Sequence, residues 1–355
     1  MVEKEFGLTI KSLSYTVMIG ASFLCQADTE ISPYIVNGTD SSTATFPSIA
    51  HLFLDSYEYD NVYYPEPYCG ATILDENHIL TAAHCIYGDE AVQLFTVVVP
   101  QLYDVNDYPS GNIQRARVSE IYYRDDYSNN LSDLLANDIA IIKLESSLNI
   151  DTVNDVIQRP SSESYRNDSV NTTFTAVGHG NTSSGNDTSD TLLQVNLSPI
   201  SNSSCAKLFA EGDALTNNQI CFDGTYSSST RLTGGTCQGD SGGPVYWYNG
   251  SEYEQIGLTS FGPSTCGHNG GVTSVFTEIY DYRAWVDSVL AGNETPKSTS
   301  SNSQRVDYLN ANGEVTFSGG TISVSDGSSQ SSGGSVPWWY VSFLFGISVY
   351  RRLKS

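Results

Sequence analysis

Positive charge is scarce in this chain of 355 residues: 16 Lys and Arg stand against 40 Asp and Glu, a net charge of −24. Such a surface repels nucleic acid and anionic lipid at long range, so no nucleic-acid partner is expected. Charged residues of both signs make up only 16%, while aromatics reach 11% with 23 Tyr, which excludes the composition of a disordered protein. Ala and Leu seldom recur at helical spacing, which argues against a helix bundle. Neither a Cys-x-x-Cys nor a paired histidine spacing occurs, so neither a zinc site nor any other metal or cofactor is expected. What the chain does have is Gly, Ser, Thr and Asn between short apolar runs, the pattern of an all-β sandwich or barrel with many turns. Its length allows two domains, or one large β domain with appendages.

Both ends read as addresses. Lys4 and Lys11 precede a mostly apolar stretch from Leu13 to Cys25, followed by a small residue at Ala27, so residues 1–27 are expected to be a signal peptide. Its removal leaves six cysteines, an even set that an oxidising compartment would pair. From residue 293 to 335 the composition shifts to Ser, Gly, Asn and Thr, which reads as a linker. Then come Gly333-Gly334-Ser335, an apolar stretch of fifteen residues from Val336 to Tyr350, and Arg351-Arg352-Leu353-Lys354. Fifteen is short of the ~20 that span a bilayer as a helix. The arrangement resembles the GlyGly-CTERM sorting signal of certain Gram-negative bacteria, which a rhomboid-like sortase removes. A permanent tail anchor is the competing reading of residues 336–355. Signal peptidase and that sortase are the processing partners implied, and the expected destination is the cell surface or medium.

Three segments between these ends carry the chemistry: Leu80-Thr81-Ala82-Ala83-His84-Cys85, Asn137-Asp138 before an apolar run, and Cys237-Gln238-Gly239-Asp240-Ser241-Gly242-Gly243-Pro244. Hydrolysis of an amide needs a nucleophile, a base, a group that orients the base, and donors for the oxyanion. Ser241 is the candidate nucleophile, His84 the base and Asp138 its orienting carboxylate. Gly239 lets the backbone bend so that the amides of Gly239 and Ser241 aim at one oxygen. The Gly-x-Ser-x-Gly pattern also fits the nucleophile elbow of α/β-hydrolases, but their chain order is Ser, acid, His. Here the order is His84, Asp138, Ser241, and a strand-like Pro244–Tyr248 follows the serine.

With these motifs, Ile35-Val36-Asn37-Gly38, Val177-Gly178-His179-Gly180, Ser260-Phe261-Gly262 and Val275–Ile279 followed by Trp285, the chain resembles the trypsin/chymotrypsin family of serine proteases over residues 35–292. The resemblance implies two six-stranded antiparallel β-barrels with the active site in the cleft between them, and a short C-terminal helix. It implies the disulfides Cys69–Cys85, Cys205–Cys221 and Cys237–Cys266. It also makes residues 28–34 a propeptide, cut after Tyr34 so that the new α-amino group of Ile35 pairs with Asp240. His179 and Phe261 each stand where the family usually has Trp, and His51, His78, His179 and His268 read as structural.

The primary specificity pocket maps to Gly235, Gly262 and Ser274. Gly235 stands where trypsin-like members carry an aspartate, so cleavage after Arg or Lys is not expected. A roomy uncharged pocket favours large apolar or aromatic residues. Leu135 is expected at the next subsite. Protein or peptide substrates are the partners implied, and a monomer is expected. A catalytically dead binding module and a surface adhesin are the rival classes. Neither requires His84, Asp138, Ser241 and the Ile35 motif together.

Overall fold

The computed structural model describes residues 35–166, 173–185, 189–313 and 315. Its apolar runs form strands whose alternate side chains enter different cores. In the run Ile49–Leu54, Ala50, Leu52 and Leu54 face one core, while Ile49 and Phe53 face two others. In Ala140–Leu144, Ala140, Ile142 and Leu144 again enter the first core, whereas Ile141 packs with Leu258, Ile279 and Val286 from the other half of the chain. That alternation is how one strand serves both the interior of a barrel and the seam between two barrels.

A short β1 (Thr39–Asp40) leads into the first barrel, built from β2 (Ile49–Leu54), β3 (Cys69–Ile73), β4 (His78–Thr81), β5 (Thr96–Pro100), β6 (Ala116–Tyr123) and β7 (Ala140–Leu144). These hydrogen-bond in the order β6-β5-β2-β3-β4-β7, and β6 pairs with β7 to close the sheet. The second barrel comprises β8 (Phe174–Gly178), β9 (Leu193–Ile200), β10 (Gln219–Gly224), β11 (Pro244–Tyr248), β12 (Tyr253–Phe261) and β13 (Ser274–Glu278). Its order is β9-β10-β13-β12-β11-β8, closed by β8 on β9, with β1 paired to the outside of β9. Both are thus six-stranded, antiparallel and closed, as expected. Closure leaves no barrel edge unpaired.

Short helices α1 (Tyr57–Asp60), α2 (Glu90–Phe95) and α3 (Asn202–Cys205) lie in loops, and α4 (Arg283–Leu290) follows the second barrel. Val286 and Val289 of α4 are buried in the seam with Leu80, Tyr122, Ile139 and Leu258. The three disulfides join Cys69 to Cys85, Cys205 to Cys221 and Cys237 to Cys266, the pairs that the resemblance implied.

One boundary differs from the expectation. The segment read as a linker from residue 293 is folded as far as residue 313. It forms β14 (Ser298–Thr299), which pairs with β6, and α5 (Asn302–Asn312), N-capped by Ser301. Arg305 of α5 is fully buried, donating from Nε to Leu94 O at 2.6 Å, from Nη2 to Val118 O at 2.7 Å and from Nη1 to Glu145 at 2.7 Å. Tyr308 packs edge-on against Phe95. Composition missed this because a cation fitted to backbone carbonyls holds the segment together with only a few apolar side chains, Tyr308, Leu309 and Val315, on the first core. The expected signal peptide, the propeptide with Tyr34, and the sorting tail lie outside the described residues. Among the described residues no helix is long and apolar enough to cross a membrane.

Candidate active site

His84 sits in a 3-10 turn, Ala83–Cys85, directly after β4, and Asp138 stands two residues before β7, the neighbour of β4. The register Thr81↔Ala140 brings the ends of these strands together. Asp138 is fully buried. Its Oδ2 lies 2.7 Å from His84 Nδ1, and its Oδ1 accepts from the His84 backbone N–H at 2.8 Å. A carboxylate can only accept, so Nδ1 carries the proton and the free lone pair is on Nε2. A third donor, the hydroxyl of Ser260 on β12, reaches Oδ2 at 2.6 Å. Ser260 was expected only as part of the Ser-Phe-Gly strand, and its hydrogen bond to Asp138 crosses between the barrels. No local pattern could have signalled it.

Ser241 lies in the loop before β11. Its carbonyl accepts from Gly70 N on β3 at 2.8 Å, and Gly242 N donates to Thr259 O on β12 at 2.8 Å. Gly242 has φ +75°, and a Cβ there would run into Thr81, Ala82 N and the Gly70 carbonyl. Only glycine therefore lets the Ser241 loop dock on the strand end that leads to His84. His84 Nε2 has Cys85 Sγ at 3.8 Å, and the bond from the Ser241 hydroxyl is not formed here. Apo sites often close this contact only with substrate. Gly239 adopts φ +98°, the left-handed region in which glycine is at ease.

Asp240 is buried, its Oδ1 accepting from Gly180 N and its Oδ2 from Cys237 N, both at 2.9 Å. Ile35 and Val36 are both fully buried. Ile35 joins the core of the second barrel, and Val36 packs on the Cys237–Cys266 disulfide and accepts from Gly235 N at 3.2 Å. Beside Gly180, His179 Nδ1 lies 2.8 Å from His51 Nε2, and His179 Nε2 lies 3.1 Å from Tyr103 O. Burial lowers the pKa of His179 to about 4, against weaker opposing effects of the Tyr103 carbonyl and Asp104. Both histidines have structural partners, in keeping with their sequence reading.

A cleft beside Ser241 is bounded by Phe261, Gly262, Cys266, Thr236 and Thr273. Gly262 is on its wall as expected. Gly235 and Ser274 are set behind it: Ser274 Oγ is fully buried and accepts from Thr236 N at 3.0 Å and from the Thr236 hydroxyl at 2.9 Å. Thr236 and Thr273 line the cleft, and the sequence reading missed both. Leu135, expected at the next subsite, is buried with Phe209, Phe261 and Val275. Tyr127, packed with Tyr87 and Tyr123, feels both its own burial and the charge of Asp138, which push its phenol well above the usual range.

Two closed barrels with a histidine, a buried aspartate and a glycine-flanked serine at their junction define a serine hydrolase of the two-barrel class. The family described as Trypsin matches residues 35–286, and the chain belongs to it. Trypsin-1 of Astacus astacus is 29% identical over 255 residues, covering 71% of this chain and 98% of that protein. Brachyurin of Leptuca pugilator is likewise 29% identical over 255 residues, covering 72% and 97%. A solved structure, the secreted serine protease VesC from Vibrio cholerae, shares the fold with a TM-score of 0.55 and 23% identity. That match covers 71% of this chain and 48% of that one, so the chain spans about half its length. The protein is a serine-type endopeptidase of the trypsin family.

Proposed function

We propose that the protein is an exported endopeptidase in which Ser241 is the nucleophile, His84 the general base and Asp138 the residue that orients His84. The Ser241 oxygen bonds to the scissile carbonyl carbon as its proton passes to His84 Nε2. The amides of Gly239 and Ser241 receive the oxyanion. The C–N bond then breaks, His84 hands its proton to the leaving amine, and water repeats the sequence to release the acid. The observation that carries this reading is the buried Asp138, which accepts from both nitrogens of His84 that face it and from Ser260. The uncharged cleft supports cleavage after large apolar or aromatic residues.

Cleavage after Tyr34 would free the Ile35 α-amino group to pair with Asp240 and order the oxyanion loop. Support comes from the full burial of Ile35 in the core of the second barrel and of Val36 against the Cys237–Cys266 disulfide. The remaining expectations form part of the proposal: a signal peptide over 1–27, a propeptide over 28–34, a protease domain that starts at 35 and takes in β14 and α5 beyond the expected end at 292, and a tail over 336–355 that a rhomboid-like sortase removes. The three disulfides fit an extracellular protein. The proposed enzyme acts on protein or peptide substrates, as a monomer.

Ser241→Ala tests the mechanism: turnover should fall by several orders of magnitude while the fold persists. Peptide hydrolysis of wild-type rate by the folded variant would refute it. Active material should begin at Ile35 by N-terminal sequencing, and activity in a form beginning at Asp28 would refute the activation step.

A further inference from the structure

The leaving half of a substrate has one disulfide to pass. His84 Nε2 gives its proton to the leaving amine, and that nitrogen lies 3.8 Å from Cys85 Sγ. The cleft bounded by Phe261, Gly262 and Thr236 belongs to the second barrel, whereas Gly70 N and Cys85 Sγ, which meet the Ser241 carbonyl at 2.8 Å and 3.6 Å, belong to the first. A peptide whose acyl half fills the cleft therefore leaves over the Cys69–Cys85 disulfide. Both chain neighbours of that disulfide are fastened to α2. Thr96, the C-cap of α2, gives its hydroxyl proton to Val92 O at 2.6 Å, so it receives the phenol of Tyr68, the residue before Cys69, at 2.7 Å. Gln93 Nε2 donates to the carbonyl of Ile86, the residue after Cys85, at 3.0 Å. The last carbonyls of α2 have no partner within the helix. The segment after residue 292 supplies two donors: Ser300 Oγ reaches Gln93 O at 2.7 Å and Arg305 Nε reaches Leu94 O at 2.6 Å. Asn302 also accepts from the phenol of Tyr59 at 2.6 Å, in the loop that runs to Tyr68.

We infer that the C-terminal extension, residues 293–313, is a positioning element for the leaving-group side of the site: through α2 it fixes Tyr68 and Ile86 on either side of the Cys69–Cys85 disulfide, and so sets the affinity for the residues that follow the scissile bond. This rests on the endopeptidase reading above. Tyr68 is half-buried, so it keeps surface for a ligand while its tip is tied down. Released from α2, its ring would regain freedom that binding must then remove. His84 is held separately, by its two hydrogen bonds to Asp138, so the chemical step does not depend on the extension.

The test uses the mature enzyme and two substrates with the same acyl half, one a nitroanilide and the other a peptide that continues past the scissile bond. Ser300→Ala should lower kcat/KM for the peptide roughly fivefold, chiefly through KM, and leave the anilide within about twofold of wild type. Tyr68→Phe should do the same, and Ser300→Thr, which keeps the hydroxyl, should keep the wild-type ratio of the two substrates. An unchanged ratio in Ser300→Ala, whether or not its Tm falls, an equal loss on both substrates, or a loss confined to one of the two variants would overturn the inference. The chain ending at Gly292, assayed below its Tm, should show the same lowered ratio, and it decides the matter should Ser300→Ala fail to fold. Cleavage of both substrates with ratios that ignore these changes sinks this inference alone. An enzyme that cuts neither and is not labelled by a serine-directed phosphonate sinks the functional reading with it.

Discussion

Acid should loosen this protein through one buried pair of histidines. The Tyr103 carbonyl can only accept, so His179 Nε2 carries the proton and its Nδ1 receives the N–H of His51 Nε2. A second proton on His179 would go to Nδ1, where it would face that N–H. The folded state holds His179 to about 4, against ~6.5 in the unfolded chain, chiefly because burial disfavours the cation. Between these values the unfolded state binds the extra proton. Stability is therefore fully present above about pH 6.5 and declines as pH falls, until the loss levels off below about pH 4. The gap of ~2.5 units amounts to about 3 kcal/mol. His51, also lowered by burial and by His179, acts in the same direction. The assay is urea unfolding from pH 7 to pH 4 in a Ser241→Ala background, which prevents self-digestion, with and without His179→Gln. The histidine form should lose up to about 3 kcal/mol more than the glutamine form across that range. Parallel pH profiles for the two proteins would refute the argument.

Ser260→Ala removes one of three donors to Asp138, so kcat should fall roughly tenfold while KM holds, read from steady-state kinetics on one peptide substrate. Arg305→Ala strips charge-assisted bonds from two buried carbonyls and leaves Glu145 unpaired. A loss of about 3 kcal/mol or more is expected, visible in calorimetry as a lowered Tm. Ending the chain at Gly292 should have a similar effect, because it removes β14 and α5 together, and a Tm equal to that of the longer chain would contradict the anchoring role. Gly242→Ala should disrupt the docking of the Ser241 loop and abolish labelling of Ser241 by a phosphonate, since the backbone there is left-handed and crowded.

The sequence by itself determined the fold class and the candidates His84, Asp138 and Ser241. Each lies in a short segment whose neighbours have local work to do, such as the strand run after Asp138 and the glycines around Ser241. Chain order then separated two folds that share the Gly-x-Ser-x-Gly pattern. Tertiary structure alone decided what depends on elements far apart in the chain. Ser260 reaches Asp138 from the other barrel, Arg305 caps carbonyls on α2 and β6, and Thr273 takes the space left by Gly235. Hydrogen bonds to backbone carbonyls leave no trace in residue periodicity. That is why a segment that reads as linker from residue 293 is held on the first barrel by the β14–β6 pairing and by Arg305.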